Sequence, residues 1–304
     1  MTAGPDVSVT IAFIGFGEAA RALVKGLRSE GGGPSLRAFD IKTGAAETAA
    51  AMRAAYAAAG VAGAETVAEA VAGADIVFST VTADQAGAAA AAVADAGLNG
   101  ALFLDCNSCA PEVKRASAAR IDAAGGRYVD VAVMAPVHPR LHRTPCLLSG
   151  DHAQAAQAAM TALNMDVTVA DGPVGAASTR KMVRSIMIKG LEALTVECML
   201  AARKAGIEED ILASLESSFP GFGWADRAPY MLERVMTHGI RRAAEMREVA
   251  RTVEDLGLAA PMATATAARQ QEIGALGLDA AAIGAGDLAA LSDAIIAAMA
   301  SRRT

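Results

Sequence analysis

Short runs of β-branched and other apolar residues alternate with alanine-rich stretches through the first 171 residues, and the alternation then stops. That pattern predicts an α/β chain, with a doubly wound parallel sheet over 1–171 and an all-α segment over 172–304. A glycine turn placed directly after the first apolar run, and an acid closing the second, point to the same kind of sheet.

The elements follow in order. Residues 7–14 read as a buried strand, and Gly15-Phe16-Gly17 opens a helical stretch that ends near the turn at 31–34. A second strand over 36–40 leads into a helix that reaches Gly60. Strands are expected at 76–81, 101–106 and 128–133, with 146–149 and 167–169 extending the sheet. After Asp171-Gly172-Pro173 the character changes, and 178–205 has no proline and only Gly190 inside it. A helix of that length spans about 40 Å at ~1.5 Å per residue. Further helices are expected to the C-terminus, broken at 219–223 and at Leu256-Gly257.

Composition narrows the function classes. The chain has 304 residues, 53% of them hydrophobic, which is ample material for two cores. Only 4% are aromatic, so those cores are built from Ala, Val, Leu, Ile and Met. A net charge of −6 disfavours a general nucleic-acid binder, which needs a basic face. Four scattered cysteines do not make a disulfide scaffold, and the first residues do not have the pattern of a signal peptide. The longest charge-free alanine stretch, near 85–94, is about half the ~20 residues a membrane span needs. A soluble, cytoplasmic protein without membrane or nucleic-acid partners is expected.

Gly15-Phe16-Gly17-Glu18-Ala19-Ala20 is a GxGxxA fingerprint in its proper setting, with a strand before it and a helix opening inside it. Gly15 permits the turn, Gly17 lets backbone approach a pyrophosphate, and Ala20 lets the helix lie close to the sheet. The helix N-terminus adds free N–H groups and the positive end of a dipole. Asp40, 23 residues after Gly17, can accept hydrogen bonds from the adenosine ribose. Its charge favours NAD over NADP, a preference that Lys42 and Thr43 weaken. The alternative is a packing turn with a solvated acid beside it. Together the features predict a Rossmann domain.

Further along come Asp105-Cys106-Asn107-Ser108-Cys109-Ala110-Pro111, then Asp130-Val131-Ala132-Val133, then Gly175 followed by Lys181. In this order, behind the fingerprint, the motifs resemble the 3-hydroxyisobutyrate and 6-phosphogluconate dehydrogenase superfamily of β-hydroxyacid dehydrogenases. The C-terminal part, with His238 through Met246, looks like a branch with its own DUF1932 domain. The resemblance implies that Asn107 and Ser108 lie beside a nicotinamide, and Thr80 and Val81 are counted with them as cofactor residues. It also implies that Lys181 is the catalytic lysine, with Ser185 one turn on, and that the chain forms a homodimer through the helical segment. Where the family has two asparagines this chain has Arg184 and Ser185; Ser185 can still bond a substrate hydroxyl, and Arg184 adds an anion contact.

Other readings of these residues are blander. Cys106 and Cys109 have the spacing of a redox pair or half a zinc site, but no further ligands accompany them, and no metal is expected. His138 and His142 are separated by Pro139, which spoils a helical metal pair. The family's substrate-carboxylate loop is altered here: Met134 stands for a serine, and Pro136 removes an N–H donor. A small 3-hydroxy acid is therefore a poor expectation. His238, Arg241, Arg242 and Glu245 share helical spacing and form either an anion pocket or a solvated basic face in which Glu245 neutralises the arginines.

The expectation is an oxidoreductase that moves hydride between NAD (or NADP) and a hydroxyl-bearing small molecule, partly apolar and anionic. The site residues are Lys181 and Ser185 for catalysis, and Met134, Arg184, His238, Arg241, Arg242 and Glu245 for substrate. An imine reductase of related architecture, a non-catalytic dinucleotide binder and a helical interaction protein remain alternatives. Lys181 argues for C–O chemistry over the first of these.

Overall fold

The computed structural model describes residues 9–29 and 33–302. Residues 7 and 8 of the expected first strand, and 31 and 32 of the turn after the first helix, lie outside the described residues. The described residues form two compact units divided between Met182 and Val183, and the division falls inside a helix rather than at residue 171.

Unit 1 contains β1 (Thr10–Ile14), β2 (Ser35–Phe39), β3 (Ala62–Gly63), β4 (Ile76–Ser79), β5 (Leu102–Asp105), β6 (Arg127–Val133), β7 (Cys146–Ser149) and β8 (Val167–Val169). They make one sheet in the order β3-β2-β1-β4-β5-β6-β7-β8. Its helices are α1 (Glu18–Ser29), α2 (Ala46–Ala58), α3 (Val67–Val71), α4 (Ala86–Ala96), α5 (Pro111–Ala123) and α6 (Ala153–Ala162).

β1, β4 and β5 are buried almost without a break, as strands covered by helices on both faces must be. One cluster holds Ile11, Phe13, Leu23, Phe78, Leu104 and Val131, and the other holds Ala12, Val77, Phe103, Ile121 and Tyr128. The few aromatics are used at the centre, where Phe13 stacks on Phe78 with ring centroids 5.3 Å apart.

The sheet departs from the expected all-parallel arrangement at one place, where β7 runs antiparallel to β6. The connection between them carries only a single 3-10 turn, Leu141–Arg143, and no helix that could make a parallel crossover. The edge strand β3 has no counterpart in the sequence reading, because two exposed residues leave no hydrophobic pattern. Asp40, Thr80, Val81 and Cys106, read as strand ends, lie just past β2, β4 and β5, in the loops.

α7 (Ala176–Ala205) carries the chain from unit 1 into unit 2. Unit 2 continues with α8 (Glu208–Ser218), α9 (Trp224–Asp255), α10 (Pro261–Gly274), α11 (Ala280–Gly284) and α12 (Leu288–Ser301). Its core includes Val196, Met199, Leu232, Val235, Ile273 and Leu291. α9 and α10 cross at Gly239 and Gly274, where a Cβ on either glycine would meet the other helix's backbone within 2.8 Å. Among the described residues no helix is long and apolar enough to cross a membrane.

Candidate active site

The strand order reverses between β1 and β4, and open α/β sheets bind ligands at the carboxyl ends of the strands at such a point. The fingerprint loop leaves β1 there. Gly15 has φ +87°, and a Cβ on it would lie 2.7 Å from the Thr80 carbonyl oxygen. Its N–H donates to Phe39 O at 2.8 Å, and the Thr80 hydroxyl donates to Gly15 O at 2.8 Å. Gly15 is therefore demanded by the protein's own packing.

Gly17 differs. A Cβ there would meet nothing within 4 Å, so its missing side chain leaves open space at the N-terminus of α1. That space, at the positive end of a helix dipole, fits a pyrophosphate. Ala20 is fully buried, as close packing of α1 on the sheet requires, while Glu18 is exposed and Ala19 half-buried. Phe16 is fully buried, with its ring against Tyr56 at 5.0 Å, so its side chain packs beneath the loop.

Asp40 both shapes this loop and borders it. Its Oδ2 accepts the Phe16 N–H at 2.7 Å and its Oδ1 accepts the Lys42 N–H at 3.0 Å. The second bond caps the 3-10 turn Ile41–Thr43 and explains why the strand stops at Phe39.

The loops after β4 and β5 are tied together by Asn107, which is 3% exposed. Its Oδ1 accepts the Val81 N–H at 2.7 Å, and its Nδ2 donates to Ser79 Oγ at 2.9 Å and Asp105 Oδ1 at 2.7 Å. Asn107 thus holds the loops in place, and Ser108, the next residue, is half-buried on them. Lys181 Nζ donates to Ser108 Oγ at 2.6 Å, an association of residues 73 apart in sequence.

α7 reaches Ser108 because a buried acid anchors its start. Asp130, at 0% exposure, accepts from Gly175 N–H at 3.1 Å, Ser178 N–H at 2.9 Å and the Ser178 hydroxyl at 2.5 Å. Ser149 adds a second tie, donating to Asp130 Oδ2 at 3.1 Å and accepting the Ala177 N–H at 3.0 Å. Gly175 adopts φ +98° at this turn. The sequence reading gave Asp130, Ser149 and Ser178 no role. An acid inside each of two adjacent apolar runs, Asp105 closing β5 and Asp130 in the middle of β6, was the available signal.

Burial pushes two nearby thiols up: Cys146 to about 12, and Cys106 further, with Cys146 adding to the effect. Neither thiol forms a disulfide, and both are held protonated at neutral pH. Met134 is half-buried, with its N–H donating to Pro145 O at 2.9 Å.

Unit 2 holds the remaining expected residues. Ser185 is 7% exposed and accepts from Lys189 Nζ at 3.3 Å; Arg184 is exposed on α7, and His238 is half-buried on α9. The two arginines part company. Arg242 is buried, with its guanidinium 2.7 Å from Glu192, whereas Arg241 is exposed and donates to Glu245 at 2.8 Å. Burial lowers the Arg242 pKa and raises that of Glu192, each offset by the partner's charge. Adjacent helical residues point about 100° apart, so one reaches the core and the other the surface. Glu245 also binds Lys189 at 2.7 Å, a buried lysine absent from the sequence reading. Nothing in its surroundings in sequence separates it from a solvated one.

Fold and fingerprint together are those of a Rossmann domain. A family model for NADP oxidoreductase, coenzyme F420-dependent, matches residues 10–108, and one for a domain of unknown function (DUF1932) matches residues 202–273. A conserved hypothetical protein from Sinorhizobium meliloti 1021 is 37% identical, with TM-score 0.70 over 95% of this chain and 97% of that one. A conserved protein of unknown function, described as structurally similar to 3-hydroxyacid dehydrogenases, is 27% identical, with TM-score 0.65 over 87% of this chain and 96% of that one. The 3-hydroxyisobutyrate dehydrogenase of Mycobacterium tuberculosis, solved with L-serine, shares the fold at 20% identity and TM-score 0.68, over 95% of this chain and 99% of that one. An uncharacterized 28.5 kDa protein of Methanothermus fervidus is 26% identical over 148 residues, which are 49% of this chain and 56% of that protein. The chain belongs to one family with the Sinorhizobium meliloti protein, carries the DUF1932 domain over residues 202–273, and shares the fold of the 3-hydroxyisobutyrate dehydrogenase.

Proposed function

We propose that this chain is an NAD(P)-dependent dehydrogenase acting on a hydroxyl-bearing small molecule, with NAD preferred and Lys181 as the general acid/base. The observation that carries the reading is the 2.6 Å bond from Lys181 Nζ to Ser108 Oγ, made by the loop that Asn107 ties to Val81 beside the fingerprint. The dinucleotide would be held by Gly15 to Ala20, Asp40, Thr80, Val81 and the 107–108 loop, and its nicotinamide supplies the redox chemistry when bound. In oxidation Lys181 Nζ takes the substrate hydroxyl proton; in the reverse direction it returns that proton to the oxygen. Ser108 fixes the direction in which the amine is held.

Ser185 would bond the substrate oxygen. One of its lone pairs accepts from Lys189, and its hydroxyl proton is the group proposed to be donated. Arg184 and Arg241, exposed, are the cations proposed for an anionic group on the substrate, and Met134 for its apolar part. Arg242, committed to Glu192, is left out of that set. A homodimer through the helical unit belongs to the same reading, supported by the exposed apolar side chains Val183, Met187 and Leu194 along α7.

The test is a screen of hydroxy acids, hydroxyphosphonates and aryl alcohols for NADH production, run on the parent and on Lys181→Met. Turnover that depends on Lys181 supports the proposal. Tight dinucleotide binding without turnover on any alcohol would favour a non-catalytic binder.

A further inference from the structure

The contact between Lys181 and Ser108 joins two segments, each held by a different buried carboxylate. Asp130 anchors the first turn of α7 through Gly175 and Ser178, and Asp105 anchors the loop of Ser108 by accepting both the N–H and the Nδ2 of Asn107. Asp105 and Asp130 are paired neighbours on the parallel strands β5 and β6, and both are fully buried. Two like charges side by side in a dry sheet repel strongly. Lys114 on α5, itself 0% exposed, lies between them. Its Nζ is 3.0 Å from Asp105 Oδ1 and 3.4 Å from Asp130 Oδ1, and donates to the Asp105 carbonyl at 2.6 Å. Tyr128 completes the group by donating to Asp105 Oδ2 at 2.7 Å.

We infer that Lys114 is a positioning residue for the site: by bridging Asp105 and Asp130 it sets the placement of Lys181 against Ser108. Stability alone is a poor reason for such an arrangement, because buried ion pairs are often no better than apolar packing of the same volume. What the bridge supplies is geometry. One ammonium couples the anchor of α7 to the anchor of the Ser108 loop, so neither can shift without the other. Burial presses this ammonium toward neutrality, and Asp105 and Asp130 hold it charged.

The inference rests on the proposed role of Lys181, and the experiment keeps the two apart. Lys114→Met is compared with Lys114→Met/Asp130→Asn, which removes one charge of each sign and leaves the net charge of the cluster unchanged. Competitive acetylation of the intact protein over a range of pH, read by mass spectrometry, follows Lys181 against the exposed Lys25 and Lys42. In both variants Lys181 is expected to change its reactivity profile several-fold while Lys25 and Lys42 do not. Turnover is expected to fall about 10- to 100-fold, the scale on which misplacing a reacting group by ~1 Å acts, with little change in dinucleotide affinity. In a Ser108→Ala background the same substitutions should cost much less, since both act through one contact.

An unchanged Lys181 profile, or effects of Lys114 and Ser108 that simply multiply, overturns the inference. So does failure of both variants to fold, which would make Lys114 a folding residue. Full turnover in Lys181→Met would instead sink the catalytic reading and leave the acetylation result to decide on Lys114.

Discussion

Two glycines of the fingerprint, two residues apart, should respond to alanine in opposite ways. At Gly15 the backbone has φ +87°, and an added Cβ would sit 2.7 Å from the Thr80 carbonyl oxygen and 2.8 Å from a Val81 methyl. The left-handed conformation costs roughly 1–2 kcal/mol for a residue with a Cβ, and overpacking against backbone adds roughly 1–3 kcal/mol. Gly15→Ala is therefore expected to lose about 2–5 kcal/mol of stability in the N-terminal unit. At Gly17 an added Cβ meets nothing within 4 Å, and Gly17 is not among the glycines of positive φ. Gly17 caps the start of α1, its carbonyl accepting the Arg21 N–H, and alanine at such a position costs only about 1 kcal/mol or less relative to glycine, so Gly17→Ala should lose little stability. Its Cβ instead fills the space that a pyrophosphate would take. Losing one charge-assisted hydrogen bond is worth roughly 1.5–3 kcal/mol, about a 10- to 150-fold weaker Kd. Urea unfolding of both variants, with calorimetric titration of NAD and NADP, separates the effects. A Gly17→Ala protein that binds dinucleotide as tightly as the parent would refute the placement of the cofactor. A Gly15→Ala protein of parental stability would refute the packing argument.

Lys181→Met is expected to lower turnover about 100-fold or more, in the range of general acid–base catalysis, with the dinucleotide Kd unchanged by titration. Asp40→Asn should narrow the preference for NAD over NADP, measured by titration with each; equal preference in the parent would remove the argument. Arg242→Ala strands the buried Glu192 and should cost about 3–5 kcal/mol, whereas Arg241→Ala, on a half-exposed side chain, should cost about 1 kcal/mol or less; urea unfolding compares them. The Glu216 carboxylate accepts the N–H groups of Trp224, Gly221 and Gly223, which hold its pKa below the ordinary carboxylate value. Its stabilisation is present above the unfolded pKa and lost as pH falls through the folded one, so Glu216→Gln should melt lower than the parent at neutral pH and match it in strong acid.

Much of this protein is written locally. The alternation of apolar runs with alanine-rich stretches, the fingerprint between a strand and a helix, and the acid at Asp40 depend only on periodicity and turn chemistry, and the sheet of unit 1 and the helices of unit 2 follow them. Cys146–Ser149 and Val167–Val169 lie where their apolar runs end. The direction of β7 is a different matter, because it depends on what the 134–145 connection can span, not on the pattern of the strand.

The site divides along the same line. Gly15 and Ala20 announce themselves because the turn and the close packing of α1 require them, and Gly17 by its place between a strand and a helix. Which charges are paired could not be read from spacing: Arg241 and Arg242 are neighbours, yet one is exposed and the other is buried on Glu192, 50 residues away. Lys114 stands next to Arg115 in an ordinary amphipathic stretch, yet one is 0% exposed between two carboxylates and the other pairs with Glu112 at the surface. Such choices are made by long-range packing, because a charge is worth burying only where partners from distant strands already wait for it. The sequence by itself determined the fold class and the dinucleotide loop. Only the tertiary structure decided which lysines and arginines stay at the surface and which are paired in the interior, because that depends on partners tens of residues away.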